Sequence, residues 1–558
     1  MLLSNFRKIA NEGWVLLGIA PFLLGLPGPS TANAGGLENR VISVSHAYSD
    51  KNLGGRSSWN TGFNITNTSN KETTVSMEAR NSEGNLVFSY EFPLDSNESY
   101  SSNIDELTGQ SGPYNLYFSP DLSNISLAGS ITASFLYDTS PGARGNMGSL
   151  EISENSGDTT LIFPHIASQN LGGDIWYTGL AVSNESNSRV DAKFTFIDTQ
   201  GKQIGETYKM FIEAYSQGEA MTVSNMFNNG NFLNQTGYVE VRSENGAKLK
   251  GLSDFVWEGH GVMRLGAVTM DDLSNNLYVP FFDCAEGKYQ GVGISNPLNE
   301  PAIITGYAYS EDGELLDSVT HQVAPKSQLT PEIIRTFFSG LEEKVGSIEF
   351  ESDQEIAGMV NYLTKEGNIG GFTLPGKLSD VLHFTNVIKE KDLYSDENPN
   401  TQTLLAYTNV SDKPTKIRIQ QYNKAGELLN IQCDEMDPHE MRTLDSEDFL
   451  IQEGYVRIDG NRTSLVGAQF YTDELNNFSC LLAQNPKKVG TLEDIFTDKP
   501  IDRLTRVKML DKDSQVIEDF STSDEPFEIL NDVERIEISE NSSYYTRHTN
   551  KCAYDNPY

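Results

Sequence analysis

The sequence is short of several things, and each shortage excludes something. It has four cysteines in 558 residues, too few for a disulfide scaffold. It has 41 Lys+Arg against 78 Asp+Glu, a formal net charge of −37. Such a chain lacks the clustered cations that phosphate contacts need, which argues against nucleic acid as a partner. No stretch after the first 34 residues approaches the roughly 18 apolar residues of a transmembrane helix. There are seven histidines and no H-E-x-x-H, so a zincin is unsupported. Neither G-x-S-x-G nor G-x-x-x-x-G-K-[ST] occurs, so a nucleophile elbow and a phosphate loop are unsupported too.

What is present points to export. Arg7 and Lys8 precede an apolar run from Trp14 to Leu26 that Pro21 interrupts. Ala32-Asn33-Ala34 then reads as a cleavage site. Residues 1–34 are therefore expected to be a signal peptide, with the mature chain starting at Gly35. The expected location is secreted or cell-surface, the periplasm included, with no transmembrane segment after cleavage.

Aromatics at 10% argue for packed cores rather than disorder. The organising feature is an internal repeat. Four segments end on an asparagine after alternating apolar residues: Trp59 to Asn67, Trp176 to Asn184, Gln290 to Asn296 and Thr403 to Asn409. Seventeen residues after each asparagine comes a glycine: Gly84, Gly201, Gly313 and Gly426. A second pair of glycines follows in each copy, ending at Gly129, Gly251, Gly358 and Gly467. Each of these last glycines opens an apolar run that ends in Tyr137, Trp257, Tyr362 or Tyr471.

The hydrophobic period is two. Val190, Ala192, Phe194 and Phe196 alternate with Asp191, Lys193 and Thr195, as in a strand with one buried face. About seven strands per copy are expected, with one helical turn between the halves. Thr222 to Phe227 and Thr330-Pro331 are the expected helix starts, the latter as an N-cap followed by proline. The fold class is all-β: four tandem antiparallel β-sandwich domains plus a small C-terminal β element. The boundaries are 35–155, 156–273, 274–377 and 378–489, with an acidic tail at 490–558.

The W-x-T-G-h-x-h-x-N-x-S pattern, followed by an alternating strand ending in x-Gly, resembles the immunoglobulin-like β-sandwich repeats of secreted bacterial proteins. The resemblance covers about residues 40–489. It implies the sandwich architecture and no assigned activity. The fourth copy departs from it, carrying a polar insertion at Ser395 to Gln402 in place of the tryptophan and glycine.

No residue stands out as catalytic, and no cofactor or metal is expected. His46, His165 and His383 fall near the starts of repeats and read as inherited structural residues. Asp511-Lys512-Asp513 opens like a calcium loop, but Val516 and Thr522 stand where an EF-hand needs Gly and Glu. The acidic surface still leaves room for weak calcium binding. Cys433 and Cys480 lie in one repeat and are the favoured disulfide; Cys284 and Cys552 would then pair, although four cysteines allow three connectivities. The expected function is non-enzymatic: structural, adhesive or ligand-binding, toward a protein or glycan at the cell surface. The alternative is a secreted hydrolase or carbohydrate-binding protein with its site in repeat 4 or the tail.

Overall fold

The computed structural model describes residues 42–490, apart from 54–56, 110–111, 123–124, 137–144, 153–156, 172–173, 229–233, 258–260, 267, 365–368, 390–400, 446, 461–462, 474–477 and 485–488. Beyond 490 it describes five strands between Arg506 and His548. The signal segment, Asp511 to Asp513 and Cys552 lie outside the described residues, and so does the insertion up to Asn400.

The described chain is mostly strand, and one strand order recurs four times. In each unit the first strand pairs with the sixth, the sixth with the third and the third with the fourth; a second sheet joins the fifth, second, seventh and eighth. The first strands are Ile42–Leu53, Thr160–Leu171, Ser274–Asp283 and Val381–Ile388. The second strands end on the repeat asparagines: Ser57–Asn67, Asp174–Asn184, Tyr289–Asn296 and Thr401–Asn409. The last strands are Gly145–Ile152, Gly261–Gly266, Ile369–Thr373 and Phe478–Leu482. A unit therefore has eight strands rather than seven. In the third unit the sixth and seventh strands run on as one, Val345–Leu363.

The alternation read in the sequence has the expected cause. Thr73–Arg80 alternates buried and half-buried positions throughout. Val75, Met77 and Ala79 enter the first unit's core beside Phe63, Ile65, Leu116 and Phe118. Burying the larger of these side chains, Val75 and Met77 among them, contributes about 1.5–3 kcal/mol each.

The first strand of every unit carries a β-bulge at one place. The register slips between Val44 and Ala47, between Phe163 and Ile166, between Val279 and Phe282, and between Phe384 and Val387. His46 and His165 share this bulge position, whereas Phe281 and Asn386 occupy it in the other units. His383 is three residues earlier and is not their counterpart. The three histidines are thus not all in corresponding places, because register rather than linear spacing fixes equivalence.

Helical turns occur at Ile104–Thr108, Val223–Asn228 and Ile334–Phe337. Thr222 caps the second of these, its hydroxyl accepting from the Asn225 N–H at 3.3 Å. The expectation at Thr330-Pro331 is corrected: those residues belong to the strand Ser327–Ile333. Among the described residues that strand pairs with Tyr289–Asn296 alone, and its register slips beside the proline, so the missing N–H is tolerated at a sheet edge. After Gly490, four of the five strands form a sheet in the order Val516–Phe520, Arg506–Leu510, Arg535–Glu540, Ser543–His548.

Candidate functional site

The repeat asparagines do one job four times. Asn67 is fully buried, and its amide donates to the Lys71 carbonyl at 2.6 Å and the Asp95 carbonyl at 3.0 Å. Asn184 donates to Ser188 at 2.7 Å and Glu213 at 2.9 Å. Asn296 donates to Glu300 at 2.7 Å and Ala324 at 3.2 Å. Asn409 donates to Lys413 and Asp437, both at 2.9 Å. Each amide thus ties the turn after its own strand to a corner in front of the fifth strand. Only a neutral amide supplies two donors and, on its oxygen, an acceptor for the N–H two residues on.

Two residues past each anchored carbonyl, the chain turns left-handed at a non-glycine: Asn97, Tyr215, Lys326 and His439, with φ from 53° to 62°. Four such outliers at one repeat position are costly and need a common cause. The shared feature is a turn closed within the unit: the Glu98, Ser216 and Glu440 N–H groups donate to the Asp95, Glu213 and Asp437 carbonyls at 3.1, 3.3 and 3.2 Å, with the left-handed residue third in the turn. The corner so formed meets the neighbouring unit. The glycine seventeen residues after each asparagine sits in a hairpin at φ near 80°. The hairpin presses on the corner of the next unit. A Cβ on Gly84 would lie 2.4 Å from the Ala214 carbonyl oxygen, and one on Gly201 would lie 2.9 Å from that of Pro325. One on Gly313 would lie 2.1 Å from the Pro438 oxygen. The fourth hairpin completes the set: a Cβ on Gly426 would lie 2.5 Å from the Ser96 oxygen, in the first unit.

The four units therefore close into a ring, and the last strands close around it too. Each of Gly145–Ile152, Gly261–Gly266, Ile369–Thr373 and Phe478–Leu482 lies beside two of the others in a cycle.

Each seam adds its own chemistry to this shared contact. At the first, Arg80 lies over the Tyr215 ring at 5.6 Å, and the Lys250 amine donates to the Ser43 carbonyl at 2.6 Å. Burial pushes Lys250 down to about 8 against the pull of Glu185 and Glu151. At the second, Ser295 Oγ and Gln328 Nε2 both donate to the Pro164 bulge carbonyl at 2.6 Å. His165 is buried there against the Phe255 ring, and burial pushes it down to about 4. At the third, Thr408 Oγ1 donates to the Pro280 bulge carbonyl at 2.9 Å, and His439 stacks on Tyr309 at 4.2 Å. At the fourth, the Tyr455 hydroxyl meets Asn97 Oδ1 at 2.6 Å. The Gly129 N–H also donates to Gln484 Oε1 at 2.7 Å there, and Ser149 and Ser479 share a hydroxyl contact of 2.7 Å.

The sequence-level candidates fall as follows. Cys433 is exposed on Leu428–Met436, and Cys480 is buried on Phe478–Leu482 in the other sheet; both thiols are free, as is Cys284. The expected Cys433–Cys480 bridge is not formed: Cys433 faces solvent while Cys480 is buried. The left-handed corner residues went unread in the sequence. They share no residue type, and their only signal is a position 30 or 31 residues after the repeat asparagine.

No known family model matches the chain, and no curated protein matches it. Among solved structures, Thermotoga maritima 1070 is similar over 19% of this chain and 97% of its own, at 14% identity and a TM-score of 0.18. The native Escherichia coli alpha-2-macroglobulin is similar over 77% of this chain and 39% of its own, at 8% identity and a TM-score of 0.10. A glycoside hydrolase family 32 protein from Bifidobacterium adolescentis is similar over 80% and 96%, at 7% identity and a TM-score of 0.12. None of these likenesses is high enough to carry an argument.

Proposed function

We propose that this chain is an exported, non-enzymatic scaffold of four immunoglobulin-like β-sandwich units closed into a ring. It presents its loops to a protein or glycan at the cell surface or outside the cell. The observation that supports this reading is how the repeated polar residues are used. The repeat asparagines, together with His165, Gln328 and Gln484, are occupied in holding corners and seams. Duplication has thus been spent on geometry, and loops held on a rigid frame are where binding residues concentrate.

The test is fractionation of the native cells, followed by pull-down with the mature chain. Export predicts recovery outside the cytoplasm and a chain shortened to Gly35. A specific protein or glycan retained by the mature chain supports the binding role. Cytoplasmic retention of the full-length chain overturns the reading.

A further inference from the structure

The four seams are alike in their hairpin-and-corner contact and unlike in the rest. Apolar side chains bridge the second seam: Ala167, Trp176 and Phe255 share a cluster with Met359 and Ile369. Across the same seam Ile162, Tyr238 and Leu273 pack with Ala357. The third seam is bridged further, since Ala406, Met441, Ala468, Phe470 and Cys480 join the third unit's own core. Phe470 lies 5.2 Å from both the Phe281 and Tyr362 rings. Separate apolar clusters thereby bridge units two and three, and units three and four.

The first unit stands apart. Among the described residues, its apolar cluster runs from Ile42 to Ile152 and contains no side chain of another unit. Among the described residues no apolar cluster bridges it to the fourth unit, and the contacts there include hydrogen bonds: Tyr455 to Asn97, Gly129 to Gln484, Ser149 with Ser479, and the Ser99 N–H to the Lys424 carbonyl at 3.0 Å. Water replaces such bonds when a seam parts, whereas separated apolar faces have no substitute. The fourth seam also joins units that are not consecutive in sequence.

We infer that the seam between the fourth and first units is exchangeable, and that its second occupant is another copy of this chain. When the seam parts, it exposes two complementary halves: the hairpin at Gly426 and the corner at Ser96 to Glu98. The surfaces are different and fit head to tail, so a second copy satisfies both without new chemistry. The closed ring wins in dilute solution, because tethered ends meet at an effective concentration of about millimolar. Raising the concentration, after a brief opening in denaturant, moves chains into swapped dimers and larger rings.

The experiment uses two full-length variants, S149C and S479C, each in a separate chain of different mass. The two positions meet only across this seam. A 149–479 disulfide between the two chains therefore reports an intermolecular seam. The mixture is opened in denaturant, refolded over a concentration series, oxidised and digested. The expected result is a cross-linked peptide whose yield rises about tenfold for a tenfold rise in concentration in the dilute range. Absence of that peptide at every concentration overturns the proposal. Light scattering on the unsubstituted chain gives a second reading: stepwise multiples of the monomer mass after concentrated refolding support it, and monomer alone at all concentrations overturns it.

Discussion

Gly426 of the fourth unit and Ser96 of the first touch backbone to backbone, so closely that a methyl on the glycine would lie 2.5 Å from the serine oxygen. The positive φ of 79° alone does not require this contact. Gly340 has nearly the same φ, 76°, and open space around its α-carbon.

The pair supplies its own control. Alanine at Gly340 is expected to cost about 1 kcal/mol, the strain of a left-handed residue. Alanine at Gly426 adds a backbone clash and is expected to cost about 2–4 kcal/mol. Denaturant unfolding of G340A and G426A checks this. Equal midpoints for the two variants would mean that the hairpin does not bear on the corner.

A second expectation concerns the buried amides. Asn184 donates to Ser188, Ile212 and Glu213 and accepts from the Ser186 N–H at 2.9 Å. Asn184→Ala removes the donors and strands their carbonyls, a loss of about 2–3 kcal/mol. Asn184→Asp is expected to be worse than alanine, because it places a buried anion against those same carbonyl oxygens. Urea midpoints in the order Asn, Ala, Asp are predicted. An aspartate variant as stable as the native chain would contradict the donor assignment.

Much of this fold was legible because duplication repeats its physics. Val190 to Phe196 alternate in the sequence as they do in burial. Asn67 and Gly84 were readable as repeat landmarks: Asn67 ends its strand and holds the turn that follows, and Gly84 sits in a hairpin turn. Their second role was not readable, since the partner of Gly84 is Ala214 in another unit and periodicity carries no information between units. The corner residues were hidden for a different reason. Asn97, Tyr215, Lys326 and His439 are held left-handed by the backbone around them, so any side chain that suits the local seam serves. Pro331 misled because proline at a helix start and proline at an edge bulge look alike in sequence.

His165 makes the second seam acid-sensitive. Burial pushes its imidazole down to about 4, with the Gln328 contact opposing. The unfolded chain therefore takes up a proton below about 6.5 that the folded chain refuses. This stability is complete above that pH and is lost as pH falls toward 4, a change of about 2–3 kcal/mol. His165→Phe places there the residue that the third unit carries as Phe281. Unfolding free energies from pH 7 to 4 are expected to fall more steeply for the native chain than for the variant. Parallel profiles would exclude His165 as the titrating group.

The outward position on the sixth strand behaves in the opposite sense in the third unit. In the second unit that strand carries Glu240 and Arg242, paired at 2.5 Å. In the fourth unit it carries Arg457 and Asp459; burial opposes the Asp459 charge, yet Arg457 and Arg418 hold its carboxyl at about 2. The third unit has Glu349 and Glu351 at these places. Burial pushes Glu349 up to about 7; a hydrogen bond from Tyr278 opposes this, and Glu351 and Asp412 add to it. The folded chain thus holds a proton that the unfolded chain releases near 4.5, so stability is complete below that pH and is lost as pH rises through 7. Glu349→Gln keeps the shape and removes the charge. It is expected to leave the chain unchanged at pH 5 and to stabilise it by about 1–2 kcal/mol at pH 8, after allowance for solvent screening. An equal effect at the two pH values would show that Glu349 is already ionised at pH 5.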